Sequence, residues 1–267
     1  MADITNMTAL EQSAAIADKS LSARELMQAT LEQISKVNPT VNAIVSLRDA
    51  DDLLKEAETA DATPSKGWLH GIPIAVKDLA NAKGLPTTMG NPMVADTLAE
   101  QDDLMVARMR AAGAIIIGKT NTPEWGLGSH TFNPVFGATG NPYDTSRTAG
   151  GSSGGAAAAL ATRMVSVADG SDMMGSLRNP AAWNNVYGFR PTYGRVPSEA
   201  TGDTFLHQLA TLGPMARTPA DMAALLDTQS GLDARQPHEA SVTATLGSIN
   251  APVKGRRIGW LGDWGGA

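Results

Sequence analysis

Two short apolar runs, GIPIAV at 71–76 and GAIIIG at 113–118, are too short for helices and too continuous for half-exposed strands. Continuous β-branched runs of this length are what strands covered on both faces look like. The stretch 103–112 between them reads as a helix, so strand, helix and strand follow one another. That alternation constrains the fold more than any other feature. It predicts an α/β architecture with a mixed, largely parallel central sheet covered by helices. RMVSVAD at 163–169 reads as a third strand, following an Ala-rich helix, and RRIGWL at 256–261 as a last one.

The first third reads as helices. Thr8 with Glu11, and Ser22 with Glu25, fit the capping box, in which hydroxyl and acid each satisfy an orphan amide. The second box opens an apolar rhythm (Leu26, Ala29, Leu31, Ile34) predicted to stop before Asn38–Pro39. VNAIVSL at 41–47 is a β-type run, and Asp51–Ala60 a charged helix. Thr218–Pro219 opens a helix with its cap and a Pro in the first turn, and 231–254 reads as loop. The expected organisation is an N-terminal helical region, 1–65, packed on an α/β core, 66–267, the two forming one domain. No internal repeat is present.

Composition removes several function classes. The absence of cysteine excludes disulfides, Cys–zinc sites and thiol nucleophiles. A net charge of −6 with no basic stripe argues against nucleic acid as a partner. No stretch approaches the roughly 18 consecutive apolar residues of a membrane span. The opening MADITNMTALEQ lacks a basic region followed by an apolar run. The expectation is a cytoplasmic protein without a membrane, metal or cofactor requirement.

Three motifs bear on chemistry. GAIIIGKT at 113–120 fits the phosphate-loop pattern, but its middle residues are themselves the strand, and Pro123 follows where a helix is needed. GGSSG at 150–154 fits the nucleophile elbow of α/β-hydrolases, yet NPYDTSRTAG before it reads as a turn-rich loop. The only histidines after it, His207 and His238, lack a catalytic context. GGSSGG also fits a tight turn leading into an Ala-rich helix. A second small-residue loop, DGSDMMGSLRNP at 169–180, follows, and LHGIPIAVKDL at 69–79 ends a buried strand on Lys77. Burial lowers a lysine's pKa towards the neutral base. A neutral lysine, serines and no cysteine suit serine-based acyl transfer without histidine.

The pieces GIPIAVKD, GKTNTPEWG, GGSSGGAAAALA, SDMMGSLRNPA and NVYGFRPTYGRVP occur in this order over roughly 5–267, and the chain resembles the amidase signature family. The spacings from Lys77 to Ser152 and from Ser152 to Ser176 also match. The resemblance implies hydrolysis of a carboxylic amide of small size to acid plus amine or ammonia. Lys77 resembles the base, Ser152 the serine relaying the proton, and Ser176 the nucleophile that forms the acyl-enzyme. Backbone amides of Met173, Met174, Gly175 and Ser176 would hold the oxyanion, and the Gly151–Ser152 peptide would be cis. Ser153 and Asp172 resemble positions that orient the loop. Arg178 would pair with a nearby acid or carbonyl, as an ordinary structural ion pair also would.

Two departures stand out. The family pattern has Gly-Gly-Ser where this chain has Met174-Gly175-Ser176. Either that position needs no positive φ, or the oxyanion loop is rebuilt and the side chain narrows the pocket. Family domains also continue well past residue 267. The expectation is therefore a C-terminal part of the sheet supplied by a longer chain, a second polypeptide fragment or a homo-oligomer. Competing readings are the amidase component of an amidotransferase and an amidase-like, non-catalytic scaffold.

Overall fold

The computed structural model describes residues 4–199, 203, 205–238, 243–260 and 262. In chain order come α1 (Ala9–Ala17), α2 (Ala23–Val41), β1 (Ile44–Val45), α3 (Ala50–Asp61), β2 (Pro73–Lys77), α4 (Leu104–Ala111) and β3 (Ile115–Thr120). Then follow β4 (Phe132–Asn133), β5 (Gly137–Ala138), β6 (Gly140–Asn141), β7 (Asp144–Thr148), α5 (Gly154–Ala161) and β8 (Val167–Asp172). The last are α6 (Arg178–Trp183), β9 (Tyr187–Gly188), β10 (Thr211–Ala216) and α7 (Pro219–Gln229).

Both capping boxes form: Thr8 and Ser22 accept from Glu11 and Glu25, whose carboxylates reach back to the cap amides. Asp49 caps α3. The α2 rhythm does not end at Asn38; the helix runs through Pro39 to Val41. A proline this close to the end forfeits one intrahelical bond. The Asn38 side chain compensates by accepting from Ala43 and Ile44 and donating to the Ile44 carbonyl.

Two small sheets lie side by side, ordered β1-β3-β2 and β8-β10-β9, with β2 packed beside β8. The mixed α/β class expected from the sequence is present. Its parallel component is the β2–β3 pair, and the other named pairings are antiparallel. Successive residues of β2 face opposite layers. Ala75 joins Met27, Ile34, Leu53 and the α5 alanines, while Ile74 and Val76 join Met105, Met109 and Leu225. Burial on both faces is the reason the strand sequence is continuously apolar. Buried α5 is almost all small residues because backbone approaches it closely: a Cβ on Gly155 would sit 2.3 Å from the Asn121 nitrogen.

Several sequence expectations shift. The third strand is not 163–169 but Val167–Asp172, displaced because Arg163 takes φ 62° after α5. The turn-rich 141–150 segment contains β7, hairpinned to β6 and exposed. β10, the middle strand of its sheet, carries no strand signature in sequence because Gly213 and Pro214 interrupt it. Pro214 sits where the short pairing of β10 with β9 stops. Residues 256–260 form no strand, and Leu261 lies outside the described residues. Pairing defines a strand, and Ile258 and Trp260 stand exposed against no neighbour among the described residues. No helix among the described residues is long and apolar enough to cross a membrane.

Candidate active site

Lys77 is the last residue of β2, and alternation along that strand turns its side chain to the α5 side, where Ser152 and Ser153 precede the first helical turn. The amine is 1% exposed. Its Nζ lies 2.7 Å from Ser152 Oγ, 2.8 Å from Ser153 Oγ and 3.0 Å from Ser171 Oγ. No carboxylate hydrogen-bonds to it among the described residues. Burial brings its pKa down to about 7, with the charges of Asp169 and Asp172 opposing. The lysine expected to be neutral is thus a buried amine held by three hydroxyls.

The Gly151–Ser152 peptide is cis. Ser153 touches the lysine directly, and its main-chain N–H donates to the Ser176 carbonyl at 3.3 Å, joining the two serine loops. Ser176 Oγ makes no hydrogen bond among the described residues. The structure therefore brings Lys77 and Ser152 into contact and ties Ser176 to the same region through its carbonyl, with no hydrogen bond between the Ser152 and Ser176 hydroxyls among the described residues.

Asp172, at the end of β8, organises the loop carrying Ser176. It accepts from the main-chain N–H groups of Gly175 and Leu177 at 2.8 and 3.1 Å. Arg178 donates to both its oxygens, and Arg190 to one of them and to the Asp172 and Met173 carbonyls. Burial alone would raise the Asp172 carboxyl, but the Arg178 and Arg190 guanidinium groups and these amides hold it well below the carboxylate range. This ties Arg178 to the loop as well as to an ion pair.

Of the four amides expected to hold an oxyanion, that of Gly175 donates to Asp172, because the loop curls back over that carboxylate. The amides of Met173, Met174 and Ser176 have no hydrogen-bond partner among the described residues. Gly175 itself carries the positive φ of the loop, 123°, whereas Met174 is not in the left-handed region. Met174 therefore needs no glycine-like freedom, and its side chain, 81% exposed, points to solvent rather than narrowing the pocket.

A cavity of about 400 Å³ opens over Lys77, Asp169 and Ser171, with Leu79, Met105 and Tyr193 among its apolar lining. Asp103, Glu199, Asp203 and His207 also line it. A larger hollow, about 790 Å³, lies between the first three helices, where Ser22 and Asp61 are occupied in capping α2. The smaller cavity is the one that Lys77 lines; Ser152 and Ser176 are not among its lining residues. A strand, β7, does precede GGSSG, but it is an exposed hairpin arm, and no histidine hydrogen-bonds to Ser152 or Ser176 among the described residues. The phosphate-loop stretch is β3, with Lys119 buried and donating to the Ala80 carbonyl. Among the described residues no cluster of three His, Asp or Glu is placed to hold a metal.

Sequence reasoning passed over Asp169, Ser171 and Arg190. The first two lie two apart on β8, on the face towards Lys77. Their signal was hidden because Asp169 reads as the last residue of a strand and Ser171 as part of a small-residue loop.

The chain matches the family model described as Amidase over residues 25–263. It is 39% identical to an acylamidase of Rhodococcus erythropolis, over 97% of this chain and 55% of that protein. It is 41% identical to a glutamyl-tRNA(Gln) amidotransferase subunit of Coxiella burnetii, over 91% of this chain and 51% of that protein. Among solved structures, a bacterial aryl acylamidase of the amidase signature family superposes with a TM-score of 0.83 at 34% identity, covering 90% of this chain and 50% of that one. The chain thus spans about half the length of these relatives. With its serine loops, buried lysine and strand order in place, the chain belongs to the amidase signature family.

Proposed function

We propose that this protein hydrolyses small carboxylic amides through an acyl-enzyme on Ser176. The observation that carries the reading is the Lys77 amine, buried, titrating near neutrality and 2.7 Å from Ser152. Neutral Lys77 takes the Ser152 proton as Ser152 takes that of Ser176, whose oxygen bonds to the carbonyl carbon. The tetrahedral oxygen is held by the open amides of Met173, Met174 and Ser176. Collapse breaks the C–N bond, and the relay returns its proton to the departing amine. Water then enters by the same path: its proton passes to the relay as its oxygen bonds to the acyl carbon, and collapse breaks the bond from that carbon to Ser176 Oγ, which takes the relay proton back as the acid leaves. Substrate binding closes the Ser152–Ser176 contact, in keeping with catalytic hydrogen bonds that tighten only in the complex.

A fluorophosphonate followed by peptide mapping tests this directly. The expected adduct is on Ser176; a folded protein labelled elsewhere, or not at all, overturns the assignment and favours a non-catalytic scaffold. The relative in Coxiella burnetii supports a second reading, a glutamine-hydrolysing component of an amidotransferase. Four carboxylates in the cavity lining, Asp103, Asp169, Glu199 and Asp203, disfavour a substrate bearing a free carboxylate, and glutaminase activity appearing only with a partner would reverse that preference. The edge of β9, with Trp183 and Tyr187 exposed nearby, is the surface on which further polypeptide or a second copy would complete the sheet. Size-exclusion with intact-mass analysis tests that part.

A further inference from the structure

β2 and β8 are edges of different sheets that meet at the site, and no strand pairing joins them. A side chain bridges the seam. Asp169, on β8, accepts the main-chain N–H of Lys77 with both carboxylate oxygens, at 3.0 and 3.3 Å. It is as buried as the lysine, and apart from its own main-chain amide the Lys77 N–H is the group that hydrogen-bonds to its carboxylate among the described residues. Burying a carboxylate to satisfy main-chain amides is costly, since a neutral acceptor would serve the Lys77 N–H without the desolvation. Ser171, on the same face of the strand, reaches the Lys77 amine at 3.0 Å. β8 therefore holds the lysine at both ends.

We propose that Asp169 is a positioning residue for the amide chemistry: its carboxylate fastens the Lys77 main chain across the seam and, with Ser171, fixes the amine against Ser152 and Ser153. The inference rests on the amidase reading above. Fixing the backbone matters because misplacement of a catalytic group by about 1 Å can cost about 10²-fold in rate.

The charge acts on the same lysine. The ionisable neighbours are Lys77 itself, Lys119 on β3, Asp78 after β2 and Asp172 on β8, with Asp103, Glu199, Asp203 and His207 around the cavity. β10 and α5, which pack on β8, have no titratable side chain, and Asp221 and Asp227 of α7 are engaged with the Leu10 and Thr245 amides. Burial pushes Asp169 up to about 6 against the Lys77 N–H and the two lysines. Its negative charge in turn raises Lys77. Removing that charge while keeping an acceptor lowers the lysine's pKa.

The test compares Asp169→Asn and Asp169→Leu with the unaltered protein by two readouts. One is kcat and KM against pH on a chromogenic anilide; the other is the titration midpoint of Lys77 by NMR of 13C-labelled lysine. Asp169→Asn should lose less than about tenfold in kcat, while its acid limb and the Lys77 midpoint fall by roughly one pH unit. Asp169→Leu should lose at least about 10²-fold in kcat with KM little changed. An unmoved limb and midpoint in the Asn variant, or full kcat in the Leu variant, overturns the proposal. Should the Leu variant not fold, the Asn variant's two readouts decide. If the unaltered protein cleaves no amide yet the midpoint still falls, the amidase reading fails and the hold on Lys77 stands.

Discussion

Replacing Lys77 with methionine should abolish activity and stabilise the fold. In the unfolded chain the amine is an ordinary lysine, near 10.5; buried, it titrates near 7. At about 1.36 kcal/mol per pKa unit, protonating the folded form against this gap costs about 5 kcal/mol. The sign follows from proton linkage: between pH 7 and 10.5 the unfolded state binds the extra proton, so stability rises with pH across that window. At pH 7 the folded amine is half protonated and the cost is about 4 kcal/mol; above 10.5 it vanishes. Asp169 keeps its hydrogen bond, because that bond is to the Lys77 main chain, but it loses a favourable charge, and three serine hydroxyls lose a partner. These losses take back part of the gain, leaving a net stabilisation of at least about 1 kcal/mol at pH 7. Guanidinium melts of both proteins at pH 7, 9 and 10.5 measure it. A methionine variant less stable at pH 7, or one whose gain is the same at pH 7 and 10.5, would refute the reasoning.

Activity should rise from acid to alkaline pH with a midpoint near 7, because Lys77 must be unprotonated to accept the relay proton; a pH profile of kcat/KM flat between 5 and 9 contradicts this. Ser152→Ala should lower kcat by at least about 10²-fold, the scale of a lost acid–base step, measured on the same substrate. Gly155→Ala should destabilise by about 1–3 kcal/mol through overpacking against the Asn121 backbone. Gly247→Ala, with open space around it, should lie within about 0.5 kcal/mol of the parent, both variants being measured in guanidinium melts.

What was legible in the sequence follows the strength of local signals. The capping boxes of α1 and α2 and the buried runs of β2 and β3 sit in short, self-contained patterns, and each is found where expected; of the residues singled out at 77, 152 and 176, Lys77 and Ser152 are in contact. Features that depend on tertiary pairing were not legible. β10 contains Gly213 and Pro214 and becomes a strand only because β8 and β9 flank it. Asp169 reads as the last residue of a strand and Ser171 as part of a small-residue loop until β8 lies beside β2, when that stretch becomes the wall of the lysine's site. Arg190 finds Asp172 from eighteen positions away, a distance over which no periodicity speaks. The amide of Gly175 depends likewise on where the loop curls, which no residue type encodes.

The two buried lysines on neighbouring strands differ in what surrounds the amine, and that difference separates chemistry from structure. Lys77 faces three hydroxyls, groups that both accept and donate, so the amine keeps its contacts whether or not it carries a proton. Lys119 donates to the Ala80 carbonyl and, at 3.3 Å, to a single hydroxyl, that of Thr87, and stands 3.8 Å from the carboxylate of Asp78. Asp78 is itself buried, accepting from Thr88 and pushed up by that burial against the pull of Thr88 and Lys119. Both lysines have lowered pKa values for the same leading reason, burial, yet Lys77 is held by hydroxyls alone, whereas Lys119 is held by a carbonyl and a hydroxyl with a carboxylate as counter-charge. Lys119→Met should therefore behave opposite to Lys77→Met. It orphans the Ala80 carbonyl and strips a buried carboxylate of its counter-charge, a loss of about 3–5 kcal/mol in the manner of a half-removed buried ion pair. Guanidinium melts at pH 7 of the two variants side by side give the comparison, and a Lys119→Met protein as stable as Lys77→Met would show that partner chemistry does not divide the two lysines.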